Sequence, residues 1–123
     1  MAHYIREGLH AVTPRLITAD VAGLVEFIRL VFNAEGEAIE NRPVELKIAG
    51  STIMVSDGGG IRPSMPGMLY VYVPDTDATC RSAEAAGAEI IEPPSDMPWG
   101  DRRATIADQW GNIWQVATCL QPE

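Results

Sequence analysis

The chain has 123 residues and a mass of 13.3 kDa, with 46% apolar and 21% charged residues; that balance excludes disorder and leaves room for one domain across 1–123. Nine basic against seventeen acidic residues give a net charge of −8, with Lys47 the only lysine, so nucleic acid and anionic membranes are excluded as expected partners. No apolar run approaches a membrane span. MAHYIRE at the N-terminus lacks the basic-then-apolar pattern of an export signal, and Cys80 and Cys119 are expected as reduced thiols, which places the protein in the cytoplasm.

A weak internal duplication organises the rest. The first copy opens with VTPRLI, a short extended run, followed by Asp20 in the place of a helix N-cap. Val21, Leu24, Val25, Ile28, Val31 and Phe32 then recur at three- and four-residue intervals, predicting a helix with one apolar stripe. Asn33 tolerates the left-handed conformation that ends a helix. Extended segments are predicted at 37–40, 44–49 and 52–56. In VELKI the apolar set Val44, Leu46 and Ile48 shares one face and should pack on a helix, leaving Glu45 and Lys47 on the other. Gly58-Gly59-Gly60, with Pro63 and Pro66 beyond, predicts a linker over 58–66.

The second copy repeats the plan. MLYVY is extended, Asp75 stands where Asp20 stood, and an alanine-rich helix is predicted near 76–86, ended by Gly87. A stripe of small residues requires close approach to whatever the helix packs on. Extended segments follow at 89–91, 103–107 and 113–118. The fold class is α+β: two tandem βαβββ modules, about 9–57 and 67–119, forming a curved mixed sheet around a cleft, with the helices outside.

Several motifs set on this plan carry a family resemblance: FIRLVFNAE (27–35), VELKIAGSTIMVSD (44–57), AAGAEII (85–91), WGDR (99–102) and DQWGNIWQVAT (108–118). Together they resemble the vicinal oxygen chelate superfamily, the glyoxalase, bleomycin-resistance and dioxygenase group, and within it the small bacterial proteins with a WGDR-type loop. The resemblance spans about 12–118. It implies, in the metal-dependent members, a divalent ion held by one His, Glu or Gln from each of four inward strands. Here those positions fall on Thr13, Glu45, Met68 (or Tyr70) and Gln115, and Pro43 replaces a histidine found near Glu45 in related proteins. Only Glu45 and Gln115 are usable ligands. His10 would serve only in a register shifted by three residues. The expectation is therefore no cofactor and a degenerate metal site; the alternative is a divalent metal such as Zn, Ni, Mn or Fe on Glu45 and Gln115, in a lyase, isomerase or dioxygenase, or Glu45 alone as a base.

Without a metal the inward residues describe a binding cleft. Tyr70 and Tyr72 share parity with Met68, Arg15 shares parity with Thr13, Met54 is placed inward, and Trp99 leads into WGDR. Thr13, Arg15, Glu45, Met54, Met68, Tyr70, Tyr72, Trp99, Arg102 and Gln115 are the candidate ligand-binding residues. Aromatic walls with a few polar groups suit a flat or partly apolar small molecule; the competing reading has Tyr70, Tyr72 and Trp99 fill the sheet interior. Asp101 and Arg102, among prolines and Gly100, are expected in a turning loop whose hydrogen bonds they fix. Asp108 reads as a turn residue, and Trp114 has the parity opposite Gln115. The resemblance further implies a homodimer.

Overall fold

The computed structural model describes residues 3–59 and 63–120; the middle of the predicted linker, 60–62, lies outside them. Among the described residues the chain forms β1 (Arg15–Ile17), α1 (Val21–Phe32), β2 (Val44–Ile48), β3 (Ser51–Ser56), β4 (Met68–Tyr72), α2 (Thr76–Ala85), β5 (Glu89–Asp96), β6 (Asp101–Ala107) and β7 (Ile113–Cys119). They divide into two compact units. One holds β1 to β3 with most of α1; the other holds Leu30–Phe32, the last turn of α1, with everything from Pro66 onward. The architecture is α+β, with two helices and two mixed sheets of three and four strands.

In the first unit the strand order is β1-β3-β2, with β1 parallel and β2 antiparallel to β3. Asp20 caps α1 as its position predicts: its carboxylate accepts the Gly23 N–H at 3.1 Å. The helix ends on Asn33 in the left-handed conformation, φ 53°. Leu24, Val25 and Ile28 on α1, Leu16 on β1, Val44, Leu46 and Ile48 on β2 and Ile53 and Val55 on β3 are buried, and their alternation on β2 leaves Glu45 and Lys47 on the other face as predicted.

The strand predicted at 37–40 does not form. All that remains of its pairing is a single bridge between Glu35 and Lys47. Gly36, at φ +139°, runs so close to β2 that a Cβ there would lie 2.2 Å from the Glu45 carbonyl oxygen, and beyond it residues 37–42 are exposed. EAIENR has one sizeable apolar side chain, Ile39, and so no face whose burial would offset the ordering of a strand.

In the second unit the order is β4-β7-β6-β5. β4 runs parallel to β7, and β7, β6 and β5 are antiparallel to one another. This is the first unit's pattern with one more strand, so the duplication is visible in the topology. Asp75 caps α2 through the Ala78 N–H at 3.1 Å. At its other end the Gly87 N–H reaches the Glu84 carbonyl and the Ala88 N–H the Ala83 carbonyl, which is the Schellman arrangement; Gly87 supplies the positive φ, +99°. The small side chains of α2 let its backbone come close to β5, β6 and β7, with Ala83 and Ala104 fully buried.

Two further expectations change. β5 continues to Asp96, through Pro93 and Pro94, where the sequence suggested a loop after 91. It is an edge strand, where proline costs no ladder bond, and its register with β6 shifts on both sides of Glu92. Asp101 and Arg102 likewise open β6 and are not in a turning loop; the turn is Met97–Gly100, closed by the Gly100 N–H on the Met97 carbonyl and the Met97 N–H on the Asp101 carbonyl.

Candidate functional site

Strand parity sorts the second sheet into two faces. On the helix side lie Trp114 and Val116 of β7 and Ala104 and Ile106 of β6, all fully buried. Trp114 stacks at 4.9 Å from the Phe32 ring and donates its indole N–H to Asp108 at 2.8 Å. Asp108 also accepts the backbone N–H groups of Trp110 and Asn112, so it organises the β6–β7 turn as its position predicts.

Arg102 belongs to this helix side. Its guanidinium grips Asp77, in the first turn of α2, through two bonds at 2.7 and 3.1 Å, and Asp96 of β5 through a third at 2.9 Å. The Asp77 carboxyl is held below its ordinary range by that guanidinium, and Arg102 is raised above its own. Of the predicted binding residues, Arg102 is thus set on the opposite face from Tyr70 and Tyr72, where it ties α2 to the sheet.

The other face carries Met68, Tyr70 and Tyr72 of β4, Gln115, Ala117 and Cys119 of β7, Asp101, Arg103 and Thr105 of β6, and Glu92 of β5, in paired rows such as Tyr70–Gln115–Thr105–Glu92. Its centre is Asp101, 4% exposed. One of its oxygens, Oδ2, accepts the hydroxyls of Tyr70 at 2.6 Å and Tyr72 at 2.8 Å and the indole N–H of Trp99 at 3.3 Å. The two tyrosine rings meet edge to face at 5.5 Å, and the Arg103 guanidinium lies over the Trp99 ring at 5.3 Å. Tyr70, Tyr72 and Trp99 nonetheless stay 41%, 57% and 60% exposed, so they do not fill a sheet interior. They form an aromatic surface held in place by one carboxylate.

The electrostatics follow from that convergence. The Tyr70 hydroxyl bond, with Tyr72 and Trp99 behind it, holds the Asp101 carboxyl below its ordinary range against the opposing effect of burial. The Tyr72 phenol is pushed up to about 12, chiefly by its bond to Asp101, and the Tyr70 phenol is pushed up by burial and then by the same bond. Beside them Thr105 donates its hydroxyl to Glu92, Gln115 Nε2 approaches Thr105 Oγ1 at 3.4 Å, and Arg103 faces Glu92 at 3.5 Å.

In the first unit Arg15, Met54 and Glu45 form one row across β1, β3 and β2. Arg15 Nε donates to Ser56 at 2.8 Å. Glu45 Oε2 faces the guanidinium groups of Arg6 and Arg42, and Thr13 donates its hydroxyl to the His10 carbonyl at 3.0 Å. A cavity of about 350 Å³ beside this row is lined by Gly8, Glu35, Gly36, Glu45, Lys47 and Thr52.

The divalent ion that the resemblance implies would need ligands at Thr13, Glu45, Met68 or Tyr70, and Gln115. Glu45 is paired with two arginines, Tyr70 gives its proton to Asp101, Gln115 is engaged with Thr105, and Thr13 and Met68 are poor ligands. Among the described residues no three His, Cys, Asp or Glu side chains cluster as a metal set. These residues do not fit a divalent ion.

Parity in the sequence sets Tyr70 with Tyr72 and Gln115 opposite Trp114, and Trp99 opens WGDR; the Asp101 bonds that fix Tyr70, Tyr72 and Trp99 are not part of that pattern. β6 begins two residues before the predicted segment 103–107, and its parity sets Asp101, Arg103 and Thr105 opposite Arg102.

The chain belongs to the Glyoxalase/Bleomycin resistance protein/Dioxygenase superfamily, whose family model matches residues 8–116. It is 29% identical over 126 residues to an uncharacterised protein of Mycobacterium bovis, an alignment covering 86% of this chain and 81% of that one. Among solved structures it is similar to TioX from Micromonospora sp. ML1, with a TM-score of 0.76 and 24% identity over 90% of this chain and 99% of TioX. It is also similar to a family enzyme from Burkholderia phytofirmans PsJN, with a TM-score of 0.75 and 19% identity over 86% and 95% of the two chains. At these identities the structural likeness shows the fold. Among the described residues no helix is long and apolar enough to cross a membrane.

Proposed function

We propose that this protein binds a flat, partly apolar small molecule on the aromatic face of its second sheet and acts by sequestering or carrying it. One observation carries the reading: Tyr70, Tyr72 and Trp99 remain largely exposed while all three bond to a single buried oxygen of Asp101. Exposed aromatic side chains lose rotamer freedom when they stack on a ligand; three already fixed avoid much of that loss. Met68 and Gln115 extend the face along the same strands. Thr13, Arg15 and Glu45 of the first unit, with the apolar Met54 in the Arg15–Glu45 row, belong to the proposal as a second surface. Pairing of two chains belongs to it as well, supported by an exposed apolar side chain away from that face, Leu30.

The test is a panel of tricyclic aromatics of positive, neutral and negative charge, read by the shift in melting temperature and by tryptophan fluorescence. At least one should stabilise the protein, and Trp99→Ala should weaken its binding about three- to tenfold, the range of a single aromatic contact. A panel without effect on either readout would overturn the proposal.

A further inference from the structure

The direction of the hydrogen bonds on this face restricts what can bind there. A carboxylate only accepts, so both tyrosine hydroxyl protons and the Trp99 indole proton are committed to Asp101. What the two hydroxyls have left to offer outward is oxygen lone pairs. The same logic runs along the neighbouring row. Glu92 only accepts, so the single Thr105 hydroxyl proton goes to it; Thr105 can then only accept from Gln115, which must turn its amide N–H toward Thr105. The Gln115 carbonyl oxygen is left as that side chain's acceptor.

The charges point the same way. Asp101 and Glu92 are two carboxylates against one guanidinium, Arg103. That side chain is 16% exposed, faces Glu92 and lies on the Trp99 ring. The flanking aromatic rings present negative π faces. The chain as a whole carries −8, which draws cations in at long range.

Resting on the ligand-face reading above, we propose that the occupant of this face is a planar aromatic cation bearing N–H donors: its ring stacks on Tyr70, Tyr72 or Trp99, and its N–H groups bond to the tyrosine hydroxyl oxygens and the Gln115 carbonyl. A ligand whose polar atoms only accept would meet the lone pairs of both hydroxyls and find donors only in the second Gln115 amide proton and the Arg103 guanidinium, itself turned to Glu92 and Trp99; an anion would also meet Asp101.

Two probes of equal ring size separate the outcomes: 9-aminoacridine, a cation with N–H donors at neutral pH, and anthracene-9-carboxylate, an anion with acceptors only. Fluorescence titration of the whole protein should give a preference for 9-aminoacridine of about tenfold or more, which added salt reduces. Asp101→Asn should bring the two affinities to within about threefold, since the charge is gone. If that variant fails to fold, as judged by circular dichroism, Gln115→Glu serves instead and should widen the preference. Equal affinities, or a preference for the anion, overturn the cation selectivity and leave the aromatic face standing as a binding surface. Binding of neither probe overturns both. A preference for 9-aminoacridine that neither Asp101→Asn nor Gln115→Glu changes also overturns the proposal, because the selectivity would then come from elsewhere on this acidic chain.

Discussion

Three side chains, two from β4 and one from the β5–β6 turn, take their orientation from a single oxygen of Asp101. Asp101→Asn can set its carbonyl oxygen where Oδ2 stands and its NH2 in the place of the other oxygen, so the three donors keep an acceptor but lose the negative charge that strengthens their bonds. The variant is expected to melt at lower temperature than the wild type and to show a lower tyrosine titration, since the Tyr72 value of about 12 rests chiefly on that bond. Phenolate absorbance against pH measures the second effect directly. The signs for the wild type follow from linkage. Tyr72 is raised on folding, so its contribution is whole below the ordinary tyrosine range and is lost as pH rises through about 12. Asp101 and Asp77 are lowered on folding, so theirs are present above the ordinary carboxyl range and are lost as pH falls through the folded values. Melting temperature against pH should therefore fall at both extremes, and Asp101→Asn should flatten both limbs.

At the scale of elements, the two helices show what local chemistry decides. Both aspartate caps, the Asn33 and Gly87 endings and the alternation along VELKI were legible because each is settled within a turn or two of chain. The 37–40 segment was not, because its fate depends on how closely Gly36 passes the Glu45 carbonyl, a contact that composition does not show. The same holds for β5: its prolines argued for a loop, and only its place at the sheet edge makes them tolerable. These differences predict an order of cost for two substitutions. Gly87→Ala meets the left-handed penalty, about 1–2 kcal/mol, plus the Gln109 side-chain end at 2.1 Å, which can move aside. Gly36→Ala meets backbone at 2.2 Å, which cannot. Urea denaturation should rank Gly36→Ala as the more destabilising, and Gln109→Ala should recover part of the Gly87→Ala loss and none of the Gly36→Ala loss. Asp75→Ala, which removes one cap bond, should cost about 1 kcal/mol in the same assay.

At the scale of the molecule, the duplicated plan and the family were written in the sequence because they are distributed over most of its length, 8–116 in the family match. The candidate site was half legible. Parity along MLYVY put Met68, Tyr70 and Tyr72 on one face, but Asp101, Arg103, Thr105 and Glu92 join them through strand pairing across the sheet, which a single strand's pattern cannot reveal. Arg102 shows the converse: it stands beside Asp101 in the chain and on the opposite face of the sheet. The proposed pairing of chains predicts a solution mass of twice 13.3 kDa by light scattering; a single-chain mass at micromolar concentration would remove it from the proposal.

The most direct test of the aromatic face is the indole N–H resonances of the three tryptophans in a two-dimensional nitrogen–proton spectrum. Trp99 is largely exposed and bonded to Asp101, whereas Trp114 is fully buried and bonded to Asp108. On titration with 9-aminoacridine the Trp99 resonance should move and that of Trp114 should hold still. A probe that binds while the Trp99 resonance stays fixed would place the ligand elsewhere and contradict the account.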